Sequence, residues 1–251
     1  MHESLFHSFS SFVTLTYDDA HVPYGHDLHY RHFRLFHKRL HRRTEYHLGK
    51  EAASKLKFFM CGEYGERLGR PHYHAILFGK FFHDRKPWRT SSAGFQLYRS
   101  EELDSLWDLG GAEIGDLSLE SAAYCARYCM GKITGPMADS HYEKLVLDTG
   151  EIIQQTPEFM NCSRGIGAKF YSKYLSDMYP EDRVIMDGRA HKVPRYYDKR
   201  LEVDHPDTFE ALRSRRLERA MACKDDCSHD RLRVRDVVMR ARLSFKQRTL
   251  E

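Results

Sequence analysis

Leu56-Lys57-Phe58-Phe59-Met60-Cys61 and His72-Tyr73-His74-Ala75-Ile76-Leu77-Phe78 decide the fold, together with the connector Gly62-Glu63-Tyr64-Gly65-Glu66-Arg67-Leu68-Gly69-Arg70-Pro71 between them. Both flanks are short runs of aromatic and apolar residues, and the connector holds three glycines and a proline. Strand, turn and strand follow, which predicts an antiparallel hairpin. Upstream, Phe12-Val13-Thr14-Leu15-Thr16-Tyr17 alternates large apolar and small polar residues and ends at the turn signal Asp18-Asp19, so it reads as another strand. From Leu28 to about Tyr46, Phe33, Phe36 and Leu40 recur at helical spacing. Ser100 to Leu109 opens with Ser-Glu-Glu, a helix N-terminus, and Leu119 to Lys132 is a second helix, rich in alanine and stopped by Gly135-Pro136. These elements predict an α+β domain over 1–135, with helices packed on an antiparallel sheet. A mainly helical extension follows over 136–251, containing a hairpin at Val184–Ala190 and a charged helix at Phe209–Ala222.

Composition narrows the function classes. Of 251 residues, 41% are hydrophobic and 30% charged, which excludes a disordered or collagen-like chain. The longest apolar run, Ala122–Ala126, is too short to span a bilayer, and Met1-His2-Glu3-Ser4-Leu5-Phe6 lacks the layout of a secretory signal, so a cytosolic protein without a membrane role is expected. A net charge of +4 is too small to draw a polyanion by bulk attraction. Its distribution is more telling: Arg31, Arg34, Lys38, Arg39, Arg42, Arg43 and Lys50 face a single acid, Glu45, which fits either a phosphate-tracking stripe or a solvated helix face. The six cysteines contain no Cys-x-x-Cys pair and are expected as free thiols. A zinc site at Cys223, Cys227 and His229 is a minor alternative.

Strand side chains alternate, so His72 and His74 point the same way while Tyr73 faces the other side. Glu63, on the partner strand, can lie across from them, with Glu66 as a less favoured substitute. Two imidazoles and a carboxylate suit Mg²⁺ or Mn²⁺ acting on a phosphate ester, or zinc. The plainer reading is a hydrogen-bonded histidine pair. Tyr124 and Tyr128, four apart on a helix, share a face. A phenol is a weak nucleophile at neutral pH, but beside a metal-bound phosphate and a cation supplied by Arg127 or Lys132 it can attack. Aromatics at this spacing are more commonly core.

In chain order the sequence carries a Thr-Leu-Thr strand, Gly-Glu-x-Gly-x-x-x-Gly-Arg-Pro-His-Tyr-His with an apolar run, and Ala-Ala-Tyr-Cys-Ala-Arg-Tyr-Cys-Met-Gly-Lys. This set resembles the two-tyrosine HUH endonucleases, specifically the replication initiators of gokushovirus-type microviruses, over nearly the whole chain. The resemblance implies a five-stranded antiparallel sheet like an RNA-recognition fold, with His72, His74 and Glu63 around Mg²⁺ or Mn²⁺ and Tyr124 and Tyr128 as nucleophiles. It implies cleavage of single-stranded phage origin DNA with a 5′-phosphotyrosyl link and a free 3′-hydroxyl, in the cytoplasm of a bacterial host, with host helicase and polymerase as partners. DNA would be held by basic side chains such as Arg70 and Arg127 and by stacking on Tyr17 or Tyr73. It also implies a cysteine-containing segment ahead of Met1, and a lysine three residues after the second tyrosine. Gly131 stands there instead, and Lys132 is offset by about 100° on a helix. The residues alone leave two other readings open, a non-catalytic single-strand binding module and a plasmid- or transposon-type nuclease of the same chemistry.

Overall fold

The structure, a computed structural model, describes residues 1–65, 68–92, 94–128, 132–186 and 188–245; the side chains of Arg127, Tyr128 and Leu243 are outside that description. The chain divides into two units, the first running to Ile166 and the second beginning at Gly167. In the first unit β1 (Ser10–Thr16), α1 (Tyr30–Ser54), β2 (Lys57–Tyr64) and β3 (Pro71–Phe78) appear as the sequence predicts. They are followed by β4 (Lys86–Thr90), β5 (Gln96–Arg99), α2 (Glu101–Leu106), β6 (Ala112–Asp116) and α3 (Leu119–Tyr128). The unit ends with α4 (Ala138–Tyr142), the hairpin β7 (Glu143–Val146) and β8 (Glu151–Gln154), and β9 (Phe159–Cys162).

The sheet has seven strands in the order β4-β5-β6-β1-β3-β2-β9, not the expected five. The difference has a physical source at each edge. β4 is exposed along its length and contains Pro87, so nothing in its pattern marks it as a strand. β9 pairs with β2 from Phe59↔Cys162 to Gly62↔Phe159, bringing residues from beyond the expected boundary at 135/136 into the sheet. The first unit therefore extends to Ile166.

β3 lies at the centre of this arrangement and is buried at all eight positions because both faces of the sheet are covered. On one face Val13, Leu15, Tyr17, Tyr73, Ala75 and Leu77 pack against Phe33, Phe36 and Leu40 of α1 and Leu103, Leu106 and Trp107 around α2. Truncating one such phenylalanine typically costs about 3–5 kcal/mol. On the other face Phe12, Cys61, Ile76 and Phe78 pack against Tyr124 and Cys125 of α3. His72 and His74 share this second face with Ile76 by strand alternation.

Local chemistry explains the boundaries. Ser100 caps α2 by accepting a hydrogen bond from the Leu103 N–H, at 3.1 Å. The β2–β3 turn passes through Gly69 at φ +58°, a conformation glycine adopts without steric cost. At Gly110 a Cβ would lie 2.3 Å from the Asp18 nitrogen, so only glycine lets the chain entering β6 approach the end of β1.

The second unit contains α5 (Ala168–Met178), the hairpin β10 (Arg183–Met186) and β11 (Arg189–Lys192), α6 (Arg195–Asp204), α7 (Pro206–Ala222) and α8 (His229–Ser244). It is mainly helical, as expected. Arg216 of α7 reaches Asp182 at 2.9 Å and Asp198 of α6 at 2.8 Å, joining three segments through one guanidinium. Among the described residues, no helix is long and apolar enough to cross a membrane.

Candidate metal centre

The hairpin register sets Glu63 directly opposite His72 and Cys61 opposite His74, while β1 sets Thr14 opposite His74 on the other side. Directly opposed side chains in antiparallel strands have Cβ atoms about 4.5–5.5 Å apart, so the ladder alone draws the three ligand candidates together. The His72 Nε2 is 2.7 Å, and the His74 Nε2 2.8 Å, from the same Glu63 oxygen, Oε1. Glu63 and His74 are 1% exposed and His72 is 8% exposed, which leaves His72 at the rim. Among the described residues this is the one group of three ligating side chains whose donor atoms converge, all within 4.8 Å of one another.

Neighbours fix the imidazoles. The His72 Nδ1 lies 3.2 Å from the Arg70 carbonyl, which can only accept, so Nδ1 carries the proton and Nε2 is directed at Glu63. The His74 Nδ1 lies 3.0 Å from the Thr14 hydroxyl. Phe12 stacks on the His74 ring at 5.5 Å and 17° between planes, and Tyr124 meets it edge-on at 4.9 Å. Burial raises the Glu63 carboxyl, but hydrogen bonds from His72 and His74 outweigh it and hold the group below its ordinary value. Glu63 is thus an anion, and its Oε2 is buried with no hydrogen-bond partner. Two imidazole nitrogens aimed at a carboxylate with a spare buried oxygen form a donor set that fits a divalent cation.

Other expected site residues fall elsewhere. Tyr17 and Tyr73 are buried on the α1 face, their hydroxyls 2.9 Å apart, and the Tyr73 hydroxyl donates to the His29 carbonyl. Neither offers a ring to a base, so the expected stacking role is corrected: alternation on β1 and β3 sends both rings into the core. The Arg70 guanidinium pairs with Asp19 and donates to the Tyr17 carbonyl, latching the β2–β3 turn to the end of β1. Lys132 is exposed. Glu66, the alternative ligand, and Gly131 lie outside the described residues, as do the side chains of Arg127 and Tyr128.

Tyr124 is close to the imidazoles, as expected, but it is not open to DNA. Its ring is 1% exposed, wedged between Phe12 and His74. The expectation of two equally available phenols is corrected at this residue: the apolar side of α3 packs on the sheet, and Tyr124 belongs to that side. The Cys125 thiol contacts the Cys61 thiol at 3.4 Å beneath it. That hydrogen bond, reinforced by burial, raises the Cys61 thiol well above its ordinary value, so it stays protonated and is a poor metal ligand. Cys223 and Cys227 are exposed and free, without the converging ligands a zinc site needs.

Thr14 is the neighbour that reading the sequence overlooked. Its signal lies in the register: the Thr-Leu-Thr strand borders the His-x-His strand, and alternation puts Thr14 on the histidine face.

Comparison with known proteins agrees with this geometry. A family model for replication-associated proteins of the ORF2 type matches residues 10–133. The chain is 32% identical over 209 residues to "Replication-associated protein VP4" of Bdellovibrio phage phiMH2K, covering 83% of this chain and 62% of the relative. It is 32% identical over 208 residues to "Replication-associated protein ORF2" of Spiroplasma virus 4, covering 79% and 59%, and 31% identical over 227 residues to "Replication-associated protein ORF4" of Chlamydia phage 1, covering 86% and 53%. The chain thus spans between half and two thirds of the length of these relatives, and no solved structure matches it. Residues 10–133, which hold the Glu63–His72–His74 centre, belong to the ORF2-type family of replication-associated proteins, and the similarity to replication-associated proteins of microviruses runs well beyond them.

Proposed function

We propose that the protein initiates rolling-circle replication of a small phage genome by nicking one DNA strand through a tyrosine, with Glu63, His72 and His74 holding Mg²⁺ or Mn²⁺. The observation that carries this reading is the buried three-ligand centre with its unpartnered Glu63 Oε2, overlaid by the helix that bears the tyrosines. A divalent ion there would withdraw charge from the non-bridging oxygens of a phosphodiester and make phosphorus more electrophilic.

The chain's own groups do the rest. Glu63 supplies the anionic ligand, the Arg70 carbonyl and Thr14 orient the two imidazoles, and Phe12 and Tyr124 screen His74 from water. A phenolic oxygen attacks phosphorus, the bond from phosphorus to the 3′-oxygen breaks, and that oxygen takes a proton to become the free 3′-hydroxyl. A phosphotyrosine is still a phosphodiester, so a later 3′-hydroxyl attack rejoins the strand without ATP. Because Tyr124 is covered in this arrangement, we assign the first cut to Tyr128, one helical turn further along α3. Tyr124 reaches a phosphate only if α3 shifts off His74.

The test is denaturing electrophoresis after incubation with single-stranded origin oligonucleotides and Mn²⁺. A covalent protein–DNA band in the wild type and in Tyr124→Phe, lost in Tyr128→Phe, is the expected result. Adduct persisting in Tyr128→Phe refutes the assignment of the first nucleophile. Binding without any adduct, across metals and oligonucleotides tiled over the genome, favours a non-catalytic single-strand binder.

A further inference from the structure

Four cations of α1, Arg31, Arg34, Lys38 and Arg42, are exposed, and among the described residues none makes an ion pair or hydrogen bond. At 100° per residue they fall within an arc of about 80°, opposite the arc of Phe33, Phe36, Leu40 and Thr44, which are buried. They therefore form one ridge on the outer side of the helix. The flanking arginines are already engaged: Arg39 pairs with Asp108 and Arg43 donates to the Ser105 hydroxyl. A merely solvated helix face usually interleaves signs, because like charges three or four residues apart repel. α7 and α8 follow that rule, with Arg213 near Glu210 and Arg240 on Asp236. The α1 ridge breaks it, with no acid anywhere between Arg31 and Arg42.

The ridge lies behind the sheet from the metal centre, since α1 covers the Tyr73 face and His72 and His74 lie on the other. A strand held for cleavage thus leaves it free. At 1.5 Å per residue it spans about 17 Å, roughly the rise of five phosphates along one strand of a duplex. No aromatic side chain is exposed between Arg31 and Arg42, so the ridge can grip a backbone but cannot stack bases as a single-strand groove does.

We propose that the outer ridge of α1 is a second DNA-binding surface, which takes the phosphates of double-stranded DNA independently of sequence while the opposite face of the sheet handles the cleaved strand. This rests on the reading of the protein as acting on DNA, but its test does not require cleavage. In the full chain, Arg31→Gln, Arg34→Gln, Lys38→Gln and Arg42→Gln are combined, and binding to a random-sequence duplex and to oligo-dT is measured by fluorescence anisotropy across a salt series.

The slope of log affinity against log salt should become shallower by about 3 to 4 for the duplex, near 0.9 per lost phosphate contact, and stay unchanged for oligo-dT. A parallel variant with the three arginines changed to lysine should keep the wild-type slope, which separates lost charge from lost folding. An unchanged duplex slope, or an equal fall with oligo-dT, overturns the proposal. A wild-type protein that cleaves nothing would sink the nicking reading and still leave this slope comparison to decide the ridge.

Discussion

At the scale of single residues, orientation matters as much as identity. Any two histidines on a strand face can approach a carboxylate, but here each imidazole is fixed through its other nitrogen, His72 by the Arg70 carbonyl and His74 by the Thr14 hydroxyl. Partners of this kind typically control 10- to 100-fold of metal affinity. Thr14→Val keeps the β-branched shape and removes the hydroxyl. It should weaken Mn²⁺ binding by roughly 10-fold or more while leaving the fold intact. Isothermal titration beside a thermal melt without metal reads both, and unchanged affinity would remove Thr14 from the centre. The residue types Glu, His and His were legible in the sequence, and so was the facing pair, because alternation and hairpin pairing are local rules. The burial of Tyr124 was not. Helical spacing placed it on one face with Tyr128, but whether that face meets solvent or the sheet depends on Phe12 and His74, distant in sequence.

At the scale of elements, α1 shows both what patterning reveals and what it hides. Phe33, Phe36 and Leu40 marked its buried side, and the helix continues to Ser54 past Gly49, whose φ of +84° breaks its regular geometry. His37 sits half-buried against the Phe58 ring at 4.7 Å, and desolvation, with His41 adding a smaller push, lowers it from 6.5 to about 4. A base lowered in the folded state favours folding fully above its unfolded value. Stability attributable to His37 is therefore present above pH 6.5 and is eroded as the pH falls from 6.5 toward 4, at no more than about 1.4 kcal/mol per pH unit. His37→Leu should show a shallower loss across this window in urea unfolding at several pH values, by about one proton. Equal slopes in the two proteins would contradict the assignment. The short strands were the illegible elements: β6 has five residues with an internal glycine, and β5 and β9 have four each. Such segments become strands because β1 and β2 present unpaired edges to them, a long-range cause that no local window contains.

At the scale of the molecule, one sheet separates two jobs. Its α1 face is a core of aromatic and aliphatic side chains, closed against solvent, and its α3 face carries the ligands beside a smaller core. β3 serves both, since alternation sends Tyr73, Ala75 and Leu77 one way and His72, His74 and Ile76 the other. This explains how a site with three titratable groups can be so deeply buried: the opposite core supplies the stability that desolvating Glu63 and His74 costs. Bound metal should return part of it, since an ion at 100 times its Kd adds about 2.7 kcal/mol.

The account depends on Glu63, His72 and His74 acting as one cation site, and direct Mn²⁺ titration of the chelator-treated full chain, followed by electron paramagnetic resonance, tests it. The account predicts one tightly held ion per chain, lost in both His72→Ala and His74→Ala while the far-ultraviolet circular dichroism of each stays native. Stoichiometric Mn²⁺ binding that survives in both variants would contradict it, and so would a folded wild-type protein that takes up no ion.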